Sequence, residues 1–382
     1  MPPLPCHVVH LVYRFTTGGL ENVVAQLVNQ LPADRFRHTI LSVTDIDPVF
    51  AQRIEPGRAE FIALNKPPGQ PFRLYPRAWR VLRQLKPNVV HSCNLAALEF
   101  MPVAALAGVP RRVHAEHGMD TAELTGKGSR YLALRRFYRH FVHEQVAVSG
   151  ALGEYLRTRV GVAPAHVHHI PNGVDTHTFR PRQPGDPLPP NYPFVPGRDW
   201  VMGTVGRQVD IKNPLLLVDA FIALARSGEP GTERLRLAMV GDGPLAADIR
   251  QRLQAAGLFE RAWLPGVRSD VAHILRALDC FVLPSRSEAT SCTLQEAMAT
   301  GLPIVTTDVG GNAALLDHGR SGTLVTSDDV LALAEQIAQH QRLDTRNPQA
   351  TAALHKARQQ YALGAVLKRY STLFLGRDDA HG

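Results

Sequence analysis

The sequence has no closely spaced cysteines. Its four, Cys6, Cys93, Cys280 and Cys292, contain no C-x-x-C, so neither a zinc knuckle nor a disulfide framework is expected. Three of them lie in or beside apolar, strand-like runs, where a thiol serves as a small hydrophobe, and the pattern suits a reducing cytosol. No run reaches about eighteen apolar residues, so no membrane-spanning helix is expected. The opening MPPLPCHVVHLVY lacks the basic segment and long apolar run of a signal peptide. There is no internal repeat. Acidic residues are in deficit: 42 Lys and Arg face 34 Asp and Glu, giving a formal charge of +8 and a pI of about 9.6. That balance favours anionic partners such as nucleotide-sugars, anionic lipid or nucleic acid. No interleaved basic recognition motif supports the last of these.

What is present is an alternation of strand and helix signals. Strands are expected at Cys6 to Val12, Thr39 to Val43, Glu60 to Leu64, Asn88 to His91, Arg111 to Glu116, Gln145 to Val148 and Val167 to Ile170. Helical periodicity lies between them at Leu20 to Leu31, Leu74 to Leu85 and Leu95 to Ala107. Strands separated by helices of this length argue for a parallel sheet covered on both faces. Eight prolines then fall between Pro171 and Trp200, a composition unsuited to helix or central strand. Beyond it the alternation resumes, with strands at Val201 to Val205, Leu235 to Val240, Cys280 to Leu283 and Pro303 to Thr307. Helices are expected there at Pro214 to Arg226, Leu245 to Ala256, Thr293 to Thr300 and Asp328 to Gln341. The expected organisation is α/β: a first doubly wound domain over 1–175, a Pro-rich linker over 176–200, a second over 201–350 and a helical tail over 351–382, with a cleft between the domains.

The most informative stretch is LPSRSEATSCTLQEAMATGLPI, Leu283 to Ile304. A strand stops at Pro284, and a helix follows that stops at Gly301. Ser291 or Thr293 can cap this helix, and Thr293-x-x-Glu296 fits a capping box. Unpaired amides of Ser291, Cys292, Thr293 and Leu294 at a positive helix end suit a phosphate. Glu288 before the turn and Glu296 one turn in are placed to accept sugar and ribose hydroxyls. Gly206-Arg207-x4-Lys212 after another strand offers two cations for a diphosphate. Gly18-Gly19 opens the first helix, and adjacent glycines admit positive φ and close ligand approach. His114-Ala115-Glu116-His117-Gly118 ends a strand; alternation puts Glu116 and His117 on opposite faces, so they are not expected to act as a pair. Asp45-Ile46-Asp47 is a literal D-x-D without supporting pattern, and His166 to His169 reads as solvated strand histidines. The stretch Gly126 to Val142 mixes Lys127, Arg130, Arg135, Arg136 and Arg139 with aromatics, a candidate for an anionic membrane surface.

Glu288-x7-Glu296, followed by Ala297-Met298-Ala299-x-Gly301-x-Pro303-Ile304-Val305 and Val309-Gly310-Gly311-Asn312, resembles the retaining glycosyltransferases of family 4. The likeness is greatest to bacterial transferases associated with exopolysaccharide clusters, and extends from about Val9 to Val325. It implies a GT-B fold, two Rossmann-like domains facing across a cleft, with the acceptor bound by the first and a UDP- or GDP-sugar by the second. It assigns Arg207 and Lys212 to the diphosphate, Glu296 to the ribose, Glu288 to the sugar, and His117 to the transferring sugar from the first domain. Gly18 and Gly19 would face the donor and acceptor, and the Gly266 to Asp270 segment, with Arg268, the nucleotide base. It implies a saccharide or lipid-linked saccharide acceptor and no metal cofactor; the expected location is the cytoplasm, extending to the cytosolic face of the inner membrane. Members usually have Gly after the first Glu, where this chain has Ala289-Thr290. Alternatives are a nucleotide-sugar epimerase of the same fold and a non-catalytic sugar-binding or scaffold protein.

Overall fold

The structure is a computed structural model that describes residues 4–67, 69, 71–118, 129–342 and 347–376. The chain divides into two compact units, Met1–Gly173 with Gly364–Gly382, and Val174–Leu363.

The first unit is built on a seven-stranded parallel sheet of β1 (Cys6–Val12), β2 (Phe36–Ser42), β3 (Ala59–Ala63), β4 (Val89–Cys93), β5 (Arg111–Glu116), β6 (Glu144–Ala147) and β7 (Val167–His169). The spatial order is β3-β2-β1-β4-β5-β6-β7. β1 and β4 are wholly or almost wholly buried because helices cover both faces, and their polar members His7, His10, His91 and Ser92 are buried with them. The order of strands reverses between β1 and β4, and a crevice opens at such a switch point beyond the strand C-termini.

The second unit has six parallel strands: β8 (Trp200–Val205), β9 (Leu235–Val240), β10 (Ala262–Gly266), β11 (Cys280–Leu283), β12 (Ile304–Thr307) and β13 (Thr323–Val325). Their order is β10-β9-β8-β11-β12-β13, so the switch point falls between β8 and β11. The two strands not expected from the sequence, β10 and β13, are the two edges. Edge strands are short and tolerate proline, here Pro265, so their signal is weak.

Three expectations need correction. The helix expected over Leu95 to Ala107 is two, Asn94–Leu98 and Met101–Leu106, broken ahead of Pro102. The proline-rich stretch is not a separate linker but part of the second unit. Phe194 is buried in its core with Phe179 and Tyr192 packed beside it. Tyr192 Oη donates to Ala277 O at 2.7 Å, and Arg180 pairs with Asp186. The tail is two helices. Pro348–Gln360 packs on the Cys292–Thr300 helix, whereas Leu363–Leu375 belongs mostly to the first unit. There Tyr370 lies edge-on and Phe374 tilted against His91, and Phe374 also meets His10 and Phe36.

Candidate active site

In the second unit the loops after β8 and β11 flank the switch point and meet there. Lys212, ending a short 3-10 turn, donates from Nζ to Glu288 Oε1 at 2.6 Å, and Ser285 Oγ donates to the same oxygen at 2.6 Å. The Lys212 side chain is 28% exposed and that of Glu288 only 6%, so the ion pair has one face open. The loops are stapled below it. Arg286 N donates to Ile211 O at 2.9 Å, its guanidinium bridges Asp210 and Asp328, and Asn213 Nδ2 donates to Asp328 at 2.9 Å. Arg207 is exposed on the turn that follows β8.

Main chain packed on main chain holds these turns. A Cβ on Gly241 would stand 2.0 Å from Gly206 O, and one on Gly243 would stand 2.5 Å from Gln208 O. Both have positive φ, so glycine is required twice over. The Gly241-Asp242-Gly243 turn is therefore the seat of the Arg207 turn. In the same way, Gly310 and Gly311 lie under the Glu288 loop. Their Cβ positions are 1.7 Å from Glu288 O and 2.2 Å from Ala289 O, and Gly311 N donates to Glu288 O at 3.0 Å. Asn312 beneath donates to Thr306 Oγ1 and Thr307 O.

The helix expected from Thr293 starts one residue earlier, as Cys292–Thr300, because Ser291 is its N-cap and accepts from Leu294 N at 3.2 Å. The Thr293-x-x-Glu296 capping box is thus not formed. Thr293 lies inside the first turn, with its Oγ1 3.1 Å from Ser291 Oγ. Gly301 ends the helix at φ +74°. Cys292 and Thr293 are half-buried at the helix start, Leu294 is buried, and Glu296 is half-buried one turn in. Arg268, at the end of β10, is held by Asp270 through two bonds of 2.8 and 2.7 Å, and Asp270 keeps its guanidinium firmly protonated.

In the first unit His117 and Asn94, just beyond β5 and β4, are half-buried, and His114 and Glu116 at the end of β5 are buried. His117 N donates to Asn94 Oδ1 at 2.8 Å, and Asn94 itself takes positive φ at the start of its helix. Burial lowers the His117 ring to about 4, against the opposing effect of Glu116 and Asn172, so it is neutral at pH 7. Glu116 turns to the other face, as the alternation predicts. It accepts from Arg135 Nε at 2.6 Å and lies 3.2 Å from His114 Nε2, while His114 Nδ1 lies 2.8 Å from Ser92 Oγ. Burial alone would raise the Glu116 carboxyl, but the His114 and Arg135 bonds and charges outweigh it and bring it down to about 2. The two glycines of the first helix depart from expectation. Gly18 is extended at φ −170°, which any residue can adopt, and Gly19 is the first helical residue. What a side chain at Gly18 would meet is the Glu21 carboxylate, 2.1 Å from the Cβ position.

The remaining candidates have structural roles. Asp45 pairs with Arg14, and Asp47 caps a short helix by accepting from Val49 N at 2.8 Å. His166 and His168 both approach Glu144. In the basic stretch, Gly126 and Lys127 lie outside the described residues. Arg135 is buried on Glu116, Arg136 donates to Arg159 O and Arg139 to the Val160 and Gly161 carbonyls, while Arg130, Arg136 and Phe137 stay exposed. The sequence did not mark Ser285, Arg286, Asp328 or the Glu116–Arg135 pair. Only the short spacing of His114 and Glu116 was visible.

Residues 17–178 match the profile of Glycosyltransferase Family 4, and residues 200–341 that of Glycosyl transferases group 1. The chain is 30% identical over 297 residues to a GDP-mannose-dependent alpha-mannosyltransferase of Mycobacterium tuberculosis, covering 76% of this chain and 70% of that one. It is 28% identical over 334 residues to the Escherichia coli UDP-Gal:alpha-D-GlcNAc-diphosphoundecaprenol alpha-1,3-galactosyltransferase, covering 85% and 84%. Anabaena HepE, solved with UDP and glucose, superposes with a TM-score of 0.76 at 19% identity over 97% of this chain and 99% of its own, which shows the same GT-B fold. With its two parallel sheets and the Lys212–Glu288 pair at a switch point, the chain belongs to the family 4 glycosyltransferases, sugar-transferring enzymes of GT-B fold.

Proposed function

We propose that the protein transfers a hexosyl unit from a UDP- or GDP-sugar, with retention of configuration, to a saccharide or lipid-linked saccharide acceptor in exopolysaccharide or other cell-surface glycan synthesis. The observation that carries this reading is the half-open Lys212–Glu288 pair above the Ser291-capped helix. The names of the Escherichia coli and Mycobacterium tuberculosis relatives support a nucleotide-sugar donor, and that of the former supports a lipid-diphosphate acceptor.

Lys212 and Arg207 hold the diphosphate, where negative charge grows as the sugar leaves. Amides at Ser291 to Leu294 add the helix-end contribution. Glu296 receives the ribose diol. Glu288 receives a sugar hydroxyl and keeps Lys212 extended toward the phosphate. The bond from the anomeric carbon to the phosphate oxygen breaks as the acceptor hydroxyl bonds to the same face of that carbon. The hydroxyl proton passes to the departing phosphate, so no protein nucleophile is required. His117, uncharged, lies against the sugar as a hydrogen-bonding group; Gly18 and Gly19 border the donor and acceptor, and Arg268 with its loop borders the base. The fixed cations supply the charge that a metal would otherwise bring, and neither a metal cofactor nor nucleic acid enters this reading. The enzyme works at the cytosolic face of the inner membrane.

The test is a thermal-shift panel with UDP, GDP, ADP and their sugar conjugates on wild type and Lys212→Ala. At about 100 times Kd, a ligand stabilises by roughly 2.7 kcal/mol. One nucleotide family is expected to raise the melting temperature, and the variant to lose most of that rise. Folded protein that responds to no nucleotide would overturn the donor site.

A further inference from the structure

Asn213 stands at the N-cap of the helix Pro214–Ala225, where an asparagine side chain ordinarily accepts from an amide of the first turn. Among the described residues it makes no such bond. Its backbone is left-handed at φ +48°, the residue is buried, and its Nδ2 donates at 2.9 Å to Oδ1 of Asp328, 115 residues further on. Asp328 lies in the loop between β13 and the helix Val330–Arg342, and is itself left-handed at φ +61°. Residues other than glycine hold that conformation only where their surroundings fix it.

The same oxygen of Asp328 also takes Arg286 Nε at 3.0 Å and Nη2 at 2.9 Å, so three N–H donors from the loops after β8 and β11 converge on one acceptor. An isolated exposed pair would contribute little, but this carboxylate is the node of a network. Arg286 precedes Glu288 by two residues, and Asn213 follows Lys212 by one. Asp328 therefore grips the neighbours of both members of the Lys212–Glu288 pair, while among the described residues it bonds to neither member itself. The other partner of the Arg286 guanidinium, Asp210, has a side chain 84% exposed, which leaves Asp328 as the firmer anchor. Arg286 also holds the Asp328 carboxyl below the usual carboxylate range, so it is charged at neutral pH.

We infer that Asp328 is a positioning residue of the donor site: from a third loop it sets the spacing of Lys212 and Glu288, through Asn213 and Arg286, for the donor diphosphate. The inference rests on the donor reading given above. It adds a residue that neither the Glu288-x7-Glu296 pattern nor the Arg207-x4-Lys212 pattern contains. Without the carboxylate, Arg286 keeps only an exposed partner, and the Lys212 turn loses the bond on its C-terminal side. The bond from Arg286 N to Ile211 O at 2.9 Å still joins the two loops, so the fold survives and what changes is the reach of Lys212 Nζ beside Glu288. A shifted Nζ gives up part of its hold on the diphosphate, whereas the nucleoside end of the ligand is untouched.

Titration calorimetry of the full chain with UDP, UMP, GDP and GMP decides this, with melting temperatures read alongside. Asp328→Asn removes the charge but keeps a residue type that tolerates left-handed backbone. It is expected to weaken the diphosphate of the preferred base about tenfold, part of one charge-assisted bond, and to leave the monophosphate unchanged. Arg286→Gln, which cuts the same link from the other side, should do likewise. In a Lys212→Ala background neither substitution should cost anything further, because the group they position is gone. Asp219→Asn, in the pair with Arg252 on the same unit, should leave both affinities as they are. Wild type that binds no nucleotide, or binds mono- and diphosphate alike, would overturn the donor reading and this inference with it. Where wild type prefers the diphosphate, three results would overturn the role of Asp328 alone. These are unchanged affinities in Asp328→Asn and Arg286→Gln, an equal loss for the monophosphate, or a further loss beside Lys212→Ala.

Discussion

The strand ends of the two sheets use charge in opposite ways. In the second unit the Lys212–Glu288 pair is held from below and left open on one side. In the first unit Glu116 is sealed between His114 and Arg135, with 1–3% of the side chains of the two charged partners exposed. An open pair can exchange its partner for a ligand phosphate or hydroxyl. A sealed pair cannot, and its bonds serve to fix the end of β5 and thus the backbone that carries His117. Similar chemistry therefore leaves one pair free to meet a ligand, as proposed above, and confines the other to positioning.

The sharpest way to break this comparison is to remove one carboxylate or cation from each pair. Glu116→Ala strands a buried guanidinium and is expected to cost about 3–5 kcal/mol of stability, read as a lowered denaturant midpoint. Lys212→Ala is expected to lower the midpoint less, because Ser285 still donates to Glu288, while slowing sugar transfer about 10²–10³-fold, read in steady-state kinetics. Reversal of these outcomes would dissolve the distinction.

A second effect tests the sealed side by pH. His38 and His117 are lowered to about 4 and His91 to about 3 by burial, and His10 falls well below its usual range for the same reason. Below pH 6.5 the unfolded chain takes up protons that the folded chain refuses. Stability therefore falls as the pH drops from about 6.5 toward 4, by up to about 1.4 kcal/mol per pH unit for each histidine. The Glu116 contribution persists above its unfolded value near 4.5 and is lost only as the pH approaches 2. Melting curves between pH 7.5 and 4 should show the loss beginning near 6.5, in the histidine window. A flat profile to pH 5 would mean that these rings are not buried neutral.

The smallest effect concerns the seat of the open side. Gly311→Ala puts a methyl group 2.2 Å from Ala289 O, and is expected to cost about 1–3 kcal/mol and to weaken nucleotide-induced stabilisation. Gly364→Ala, at an ordinary φ and with no atom within 4 Å, is the control for a methyl group that meets nothing.

Much of this was legible in the sequence because it is local. Strands buried on both faces show as apolar runs, and Glu288, Ser291 and Gly301 mark a loop, a cap and a stop within fourteen residues. What was not legible depends on distance along the chain. Arg286 reaches Asp210 and Asp328, 76 and 42 residues away, and nothing in the local pattern links them. Arg135 reads as one cation of a basic surface until the fold turns it onto Glu116. The prolines of 176–200 suggested a spacer, yet Tyr192 and Phe194 among them are core residues.

The backbone seating of the Glu288 loop has a consequence for how such an enzyme can diversify. Gly310 and Gly311 press against the carbonyls of Glu288 and Ala289, and every amino acid carries a carbonyl. The loop's position is therefore indifferent to the identity of the side chain at 289. A lineage can try new residues beside the sugar, one codon at a time, without rebuilding the ledge on which the loop rests.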